Sequence, residues 1–177
     1  MKELPKTLKR ELVASSNIFK IEQVQLQFSN GTERIYERLL SRNLGAVLIV
    51  PFIDAETILL VREYCGGTER YELGFPKGLM NKNEDIKEAA NRELMEEIGY
   101  GAKQLLLLKY VTAAPGYWNS SVAVILAKDL YPQQLPGDEP EPLDIIPWKI
   151  SDYRSLLQRD DFTEARSIAA LLMVVAP

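Results

Sequence analysis

The chain has 177 residues, 46% hydrophobic and 26% charged, with a formal net charge of −4. That length can bury a core without disulfides or structural metals, and the charge gives no general attraction for nucleic acid. A single cysteine (Cys65) and no histidine exclude a disulfide framework, His-ligated or multi-cysteine metal sites, and Ser-His-Asp or Cys-His catalysis.

The basic start, MKELPKTLKREL, is followed by no apolar stretch and does not read as a secretory signal. No apolar run reaches the length needed to span a bilayer, so the expectation is a cytoplasmic protein with no membrane partner. Residues 18–40 are expected to form a hairpin: Phe19 and Ile21 alternate, as do Val24, Leu26 and Phe28, with Ser29-Asn30-Gly31 as turn. Ser41-Arg42-Asn43 marks a boundary. The run from Ala46 to Phe52 reads as a buried strand and Thr57 to Val61 as its hairpin partner. Tyr71-Glu72-Leu73 enters a Gly/Pro loop from Gly74 to Gly78. Residues 85–98 are expected to be helical, with Ile86, Ala89, Ala90, Leu94 and Ile98 on one face. Asn83 or Asp85 suits the start and Gly99 the position past the end. Strands follow at Leu105 to Thr112 and Ser121 to Ala127, then a Pro-rich acidic loop over 128–144, a strand at Ile145 to Lys149, and helices at Ser151 to Gln158 and Thr163 to Val175. Strands on both sides of a central helix predict an α/β or α+β sandwich.

The chemistry concentrates in GLMNKNEDIKEAANRELMEEIGY, Gly78 to Tyr100. Glu93, Glu96 and Glu97 fall three and four apart and can converge on one helix face. Acids at a helix C-terminus are disfavoured by the macrodipole, so something positive must hold them there. A hard divalent cation fits, since Mg²⁺ is typically bound by one or two carboxylates plus substrate phosphates. Arg92 can pair with Glu96 at i,i+4. Taken alone, such a helix is better read as a solvated acidic face, as charge runs usually are.

The flanking residues decide between these readings. The segment resembles the Nudix box, G-x5-E-x7-R-E-U-x-E-E-x-G-U, through Gly78, Glu84, Arg92, Glu93, Leu94, Glu96, Glu97 and Gly99. Tyr100 stands where an aliphatic residue is usual. Eight such matches would arise by chance roughly once in 10⁹ start positions. The resemblance implies a Nudix α/β/α sandwich with a mixed sheet over 44–177, preceded by a small antiparallel β module over 1–43. It implies that Glu93 and Glu97 ligate Mg²⁺ (Mn²⁺ can substitute), that Glu96 is a further ligand, that the Lys77 carbonyl is another, and that Arg92 and Glu84 brace the loop and helix.

Further segments are similar to the ADP-ribose diphosphatase branch of that family. Pro115 in TAAPGYWNSS sits fifteen residues after the box, and VREYCGGTERYELGFPKG precedes it. FSNGTERIYERL and LYPQQLPGDEPEP resemble its bacterial hydrolases of ADP compounds, associated with ADP-ribose, diadenosine polyphosphates and NADH. That likeness implies an ADP-containing nucleotide as substrate, cut to AMP and X-phosphate, and a homodimer in which the N-terminal module helps form the partner's adenine pocket. Tyr36 and Glu37 match positions set against the nucleobase, where a Tyr can stack and a carboxylate can accept from the amino group. An ordinary strand aromatic and a solvated charge are the alternative. Arg62 resembles a nucleotide-contacting arginine, with a structural ion pair as its alternative. The loop Gly137 to Asp144 matches the position of the catalytic base, with Glu141 the first choice and Glu139 the second. The rival functions are hydrolysis of another nucleoside diphosphate such as a GDP-sugar, and nucleotide binding without cleavage.

Overall fold

The computed structural model describes residues 2–41 and 45–175. The expected boundary at Ser41-Arg42-Asn43 falls largely on residues 42 and 43, outside the described ones. The chain divides into two compact units. One comprises Met1–Gly45 with Thr112–Ser121, the other Ala46–Val111 with Val122–Pro177.

The first unit is an antiparallel sheet of β1 (Lys6–Ser15), β2 (Lys20–Gln27) and β3 (Glu33–Leu39), in the order β1-β2-β3. The expected hairpin is β2–β3, whose turn places Gly31 at φ 81, a conformation that glycine adopts without strain. The basic N-terminus is a third strand. Its sequence KTLKRELVAS has no period-2 pattern, and every residue of β1 is exposed. The segment 112–121 joins this unit: Leu39 donates its N–H to the Tyr117 carbonyl at 2.7 Å and Ser41 its N–H to the Asn119 side chain at 2.7 Å.

Among the described residues the second unit holds two sheets and three α-helices. β7 (Lys77–Leu79), β4 (Ala46–Pro51), β9 (Val122–Pro132) and β8 (Tyr100–Val111) form one sheet in that order. Within it β4 and β9 run parallel while its other pairs are antiparallel, so the sheet is mixed. The order β10-β5-β6 gives the other, with β10 at Asp144–Lys149, β5 at Thr57–Cys65 and β6 at Arg70–Gly74. The alternation along β4 explains its continuous apolar run. Val47 and Ile49 pack with Ala89, Ala90 and Leu94 of α1 (Ile86–Glu97). Leu48 and Val50 pack on the opposite face with Leu156 of α2 (Tyr153–Leu157) and with Ala170 and Leu171 of α3 (Ala165–Val175). Helices thus cover both faces, the expected α/β/α sandwich, and each fully buried aliphatic side chain contributes roughly 1.5–3 kcal/mol.

Several elements differ from expectation. β4 and β5, read as hairpin partners, lie in different sheets, with only the bridge Phe52–Ile58 between them, and β8 begins at Tyr100 rather than Leu105. β7 lies inside the segment read as a Gly/Pro loop, because Lys77 to Leu79 pairs with β4. β9 continues to Pro132 along β8, shortening the acidic loop to 133–143. Ile150–Asp152 forms a 3-10 turn ahead of a shorter α2.

Candidate active site

Helix α1 starts where its sequence dictates. Asp85 accepts from the Lys87 and Glu88 N–H groups at 2.6 and 3.1 Å, and Glu88 accepts from the Asp85 N–H at 3.2 Å. This capping box satisfies donors that the first turn cannot pair internally. Asn83 sits just before it in the left-handed region at φ 67, and Gly99 ends the helix at φ 71.

Arg92 is the hub of the box. Its Nε and Nη2 grip the two oxygens of Glu84 at 2.8 and 3.0 Å, Nη2 also donates to the Leu79 carbonyl at 2.9 Å, and Nη1 reaches Glu93 and Glu96 at 2.7 and 2.8 Å. Glu84 in turn accepts from the Asn81 N–H at 2.7 Å. One guanidinium thereby ties the loop after β7 to the last turns of α1, with geometry suited to the planar fork of Arg. The Arg92 partnership holds Glu84 below the usual carboxylate range.

Glu93 is only 7% exposed, and its carboxylate presses on bare backbone. A Cβ on Gly78 would lie 2.1 Å from the Glu93 Cδ and Oε1, so the box glycine is required by close approach. Glu97 accepts from the Lys77 N–H at 3.3 Å. Burial pushes Glu97 up to about 8, with Glu93 and Glu63 adding to the effect, and burial also raises Glu93. The Lys77 ammonium pairs with Glu63 of β5.

The loop 133–143 folds over the end of α1. Gln134 Nε2 donates to the Glu96 carbonyl at 3.1 Å and the Leu135 N–H to the Met95 carbonyl at 3.0 Å, pairing carbonyls that the last turn leaves open. Together they enclose a groove of about 280 Å³, lined by Glu93, Glu96, Glu97, Asp138, Glu139 and Glu141 among others. Glu139 is raised by burial first, then by the charges of Glu63 and Asp138. Glu141 accepts a 2.5 Å hydrogen bond from the Tyr71 phenol.

The structure therefore gathers Glu93, Glu96, Glu97, Glu139 and Glu141 on one groove, with Arg92 and Lys77 bonded to its carboxylates. Pro115 is distant in sequence from Tyr36 and Glu37, yet all three fall in the first unit and all are exposed. Tyr36 tilts toward Phe28, with ring centroids 6.5 Å apart. Arg62, at the far end of β5, donates to Asp161 at 3.2 Å, the ion pair weighed as its alternative. Sequence reading missed Glu63, Tyr71, Gln134 and Asp138. Glu63 and Tyr71 sit on strands, and the groups they meet, Lys77 and Glu141, come from other segments of the chain.

Comparison with known proteins places this geometry. Residues 5–38 match the NudE-type Nudix hydrolase N-terminal domain and residues 42–171 the NUDIX domain. The chain is 49% identical over 170 residues to the ADP compounds hydrolase NudE of Escherichia coli (strain K12), covering 96% of this chain and 91% of that one.

The chain belongs to the Nudix hydrolase family.

It is also 27% identical over 168 residues to the ADP-ribose pyrophosphatase of Bacillus subtilis (strain 168), covering 94% and 90% of the two chains. A crystal structure of an ADP compounds hydrolase superimposes with a TM-score of 0.92 at 48% identity, covering 98% of this chain and 94% of that one. The chain is a Nudix pyrophosphohydrolase, and Nudix hydrolases in general use divalent metal ions.

The residues present fit such an ion. The donors are all oxygens, as hard cations require. Two of them sit on Glu93, which is buried, and Glu97, which is half-buried; desolvation raises both, and such groups are stabilised by a cation. No group of three or more acidic side chains among the described residues is drawn together as a ready ligand set, because Glu93 and Glu96 both turn toward Arg92. Glu96 and Glu97 line the groove, where a change of rotamer can turn a carboxylate toward an ion. Among the described residues no helix is long and apolar enough to cross a membrane.

Proposed function

We propose that this chain hydrolyses the diphosphate linkage of ADP-containing compounds, among them ADP-ribose, diadenosine polyphosphates and NADH, giving AMP and X-phosphate. The observation that carries the reading is the single groove on which α1 and the loop 133–143 set five glutamates. The names of the similar hydrolases support ADP-containing substrates.

Magnesium, which manganese can replace, supplies charge neutralisation of the diphosphate and activation of a water when bound. Glu93 and Glu97 would hold it, with Glu96 and the Lys77 carbonyl completing the donor set. The rest of the chemistry belongs to the chain. Arg92 fixes the end of α1 against its loop, so the carboxylates are oriented before substrate arrives. Water attacks one phosphorus, a new O–P bond forms, and the bridging P–O bond breaks. The proton passes to a loop carboxylate, Glu141 or Glu139, both on the groove. Tyr36 would stack on adenine and Glu37 accept from its amino group, with Pro115 in the same unit. Arg62 would complete the nucleotide contacts from β5. A division at 1–43 and 44–177, a homodimer and a cytoplasmic setting are parts of the same reading. The exposed Leu8, Leu12, Phe19 and Ile35 of the N-terminal module support the dimer.

The test is a panel of ADP-ribose, diadenosine triphosphate, NADH and a GDP-sugar, each with and without Mg²⁺ or Mn²⁺, with products weighed by mass spectrometry. Metal-dependent release of AMP is expected, and Glu97→Gln should lower it at least about a hundredfold. Undiminished turnover in Glu97→Gln sinks the proposed ligand set. Turnover of the GDP-sugar alone sinks the adenine specificity, and nucleotide binding without any cleavage sinks the catalytic reading.

A further inference from the structure

The two loop glutamates meet different groups. Side chains along a strand alternate between faces. Glu63 pairs across the β5–β6 ladder with Glu72, and Tyr64 with Tyr71, so the acids share one face and the tyrosines the other. Glu139 lies in the field of Glu63, Asp138 and Lys77. Glu141 accepts from the Tyr71 phenol at 2.5 Å. The Tyr71 ring is itself braced edge-on by Tyr64, with centroids 5.6 Å apart, a geometry favoured by aromatic quadrupoles. At its other end the loop is tied to α1 by Gln134 and Leu135. There a Cβ on Gly137 would stand 3.4 Å from the Glu96 carbonyl oxygen. Asp138, Glu139 and Pro140 span the gap between two fixed points, and Pro140 and Pro142 restrict the backbone between and beyond them.

We infer that Tyr71 and Glu141 form a clasp that holds the loop over the groove, so that Glu139 is the carboxylate presented to the reacting water and Tyr71 and Glu141 are positioning residues. This rests on the hydrolase reading above. A general base must lie within hydrogen-bond reach of its proton, and a shift of about 1 Å in a positioned group can cost about a hundredfold in rate. A loop fixed at one end only would let Glu139 wander by more than that.

The test uses the full chain with Mg²⁺ and ADP-ribose, together with amide hydrogen exchange of residues 133–143. Tyr71→Phe and Glu141→Ala should each lower kcat about tenfold, with KM within about twofold, and the double variant should be no slower than either single. Glu141→Gln keeps an amide oxygen able to accept from Tyr71, so it should recover most of what Glu141→Ala loses. Glu139→Gln should lower kcat about a thousandfold. Exchange in the loop should rise in Tyr71→Phe and Glu141→Ala and return toward wild type in Glu141→Gln. A Glu141→Gln enzyme as slow as Glu141→Ala would show that the charge of Glu141 is what matters, and it would overturn the clasp. So would wild-type rate and exchange in Tyr71→Phe. If the wild type cleaves nothing, the hydrolase reading fails, while the exchange comparison still decides whether the clasp exists.

Discussion

Glu97 lines the groove and accepts from the Lys77 backbone N–H, and its acidity has a consequence for the whole chain. Burial pushes it from the ordinary 4.5 up to about 8. Between those values the metal-free folded chain keeps a proton that the unfolded chain has released. The folded state is thus favoured on the acid side of the window, and that contribution is lost as the pH rises through it. In chelator, the melting temperature of the wild type should fall from about pH 5 to about pH 8 more steeply than that of Glu97→Gln. Equal slopes in the two thermal series would rule this out. Adding Mg²⁺ should reverse the trend, because a metal binds the deprotonated carboxylate and its affinity grows with pH. Arg92 shows the complementary principle: five hydrogen bonds from one guanidinium make it the residue least replaceable by lysine, which lacks the planar fork.

At the scale of elements, α1 was readable from its sequence because every local signal agreed. The apolar positions recur at helical spacing, Asp85 and Glu88 form the capping box, and Gly99 takes the left-handed conformation past the end. Asp85→Ala should cost about 1 kcal/mol, lowering the melting temperature by about 2–4 °C. Thermal unfolding checks this, and an unchanged midpoint would mean that tertiary packing alone sets the helix start. β1 and β7 were not readable. β1 carries charges at alternate and adjacent positions alike and buries nothing. β7 is three residues whose only strand signature is its pairing with β4. The extension of β9 to Pro132 likewise depends on β8 lying alongside. Pairing partners contributed by distant chain segments leave no periodic trace in the strand that receives them.

For the molecule as a whole, the N-terminal unit leaves Leu8, Leu12, Phe19 and Ile35 exposed, and apolar side chains left in water favour association. Under the dimer proposal the wild type should sediment as a dimer, and Phe19→Glu combined with Ile35→Glu should shift it toward monomer with weaker nucleotide binding. A monomeric wild type at micromolar concentration would refute the proposal. What the sequence determined by itself was the chemistry of α1: which residues are acidic, their three-and-four spacing, the caps, the absence of histidine, and the apolar alternation of β4 that demands cover on both faces. These follow from local geometry and side-chain type. Tertiary structure alone decided that the Lys77 N–H meets Glu97, that 112–121 joins the N-terminal unit, and that Glu141 meets Tyr71. Each of these depends on segments tens of residues apart being brought within a few ångströms, and sequence spacing carries no record of that distance.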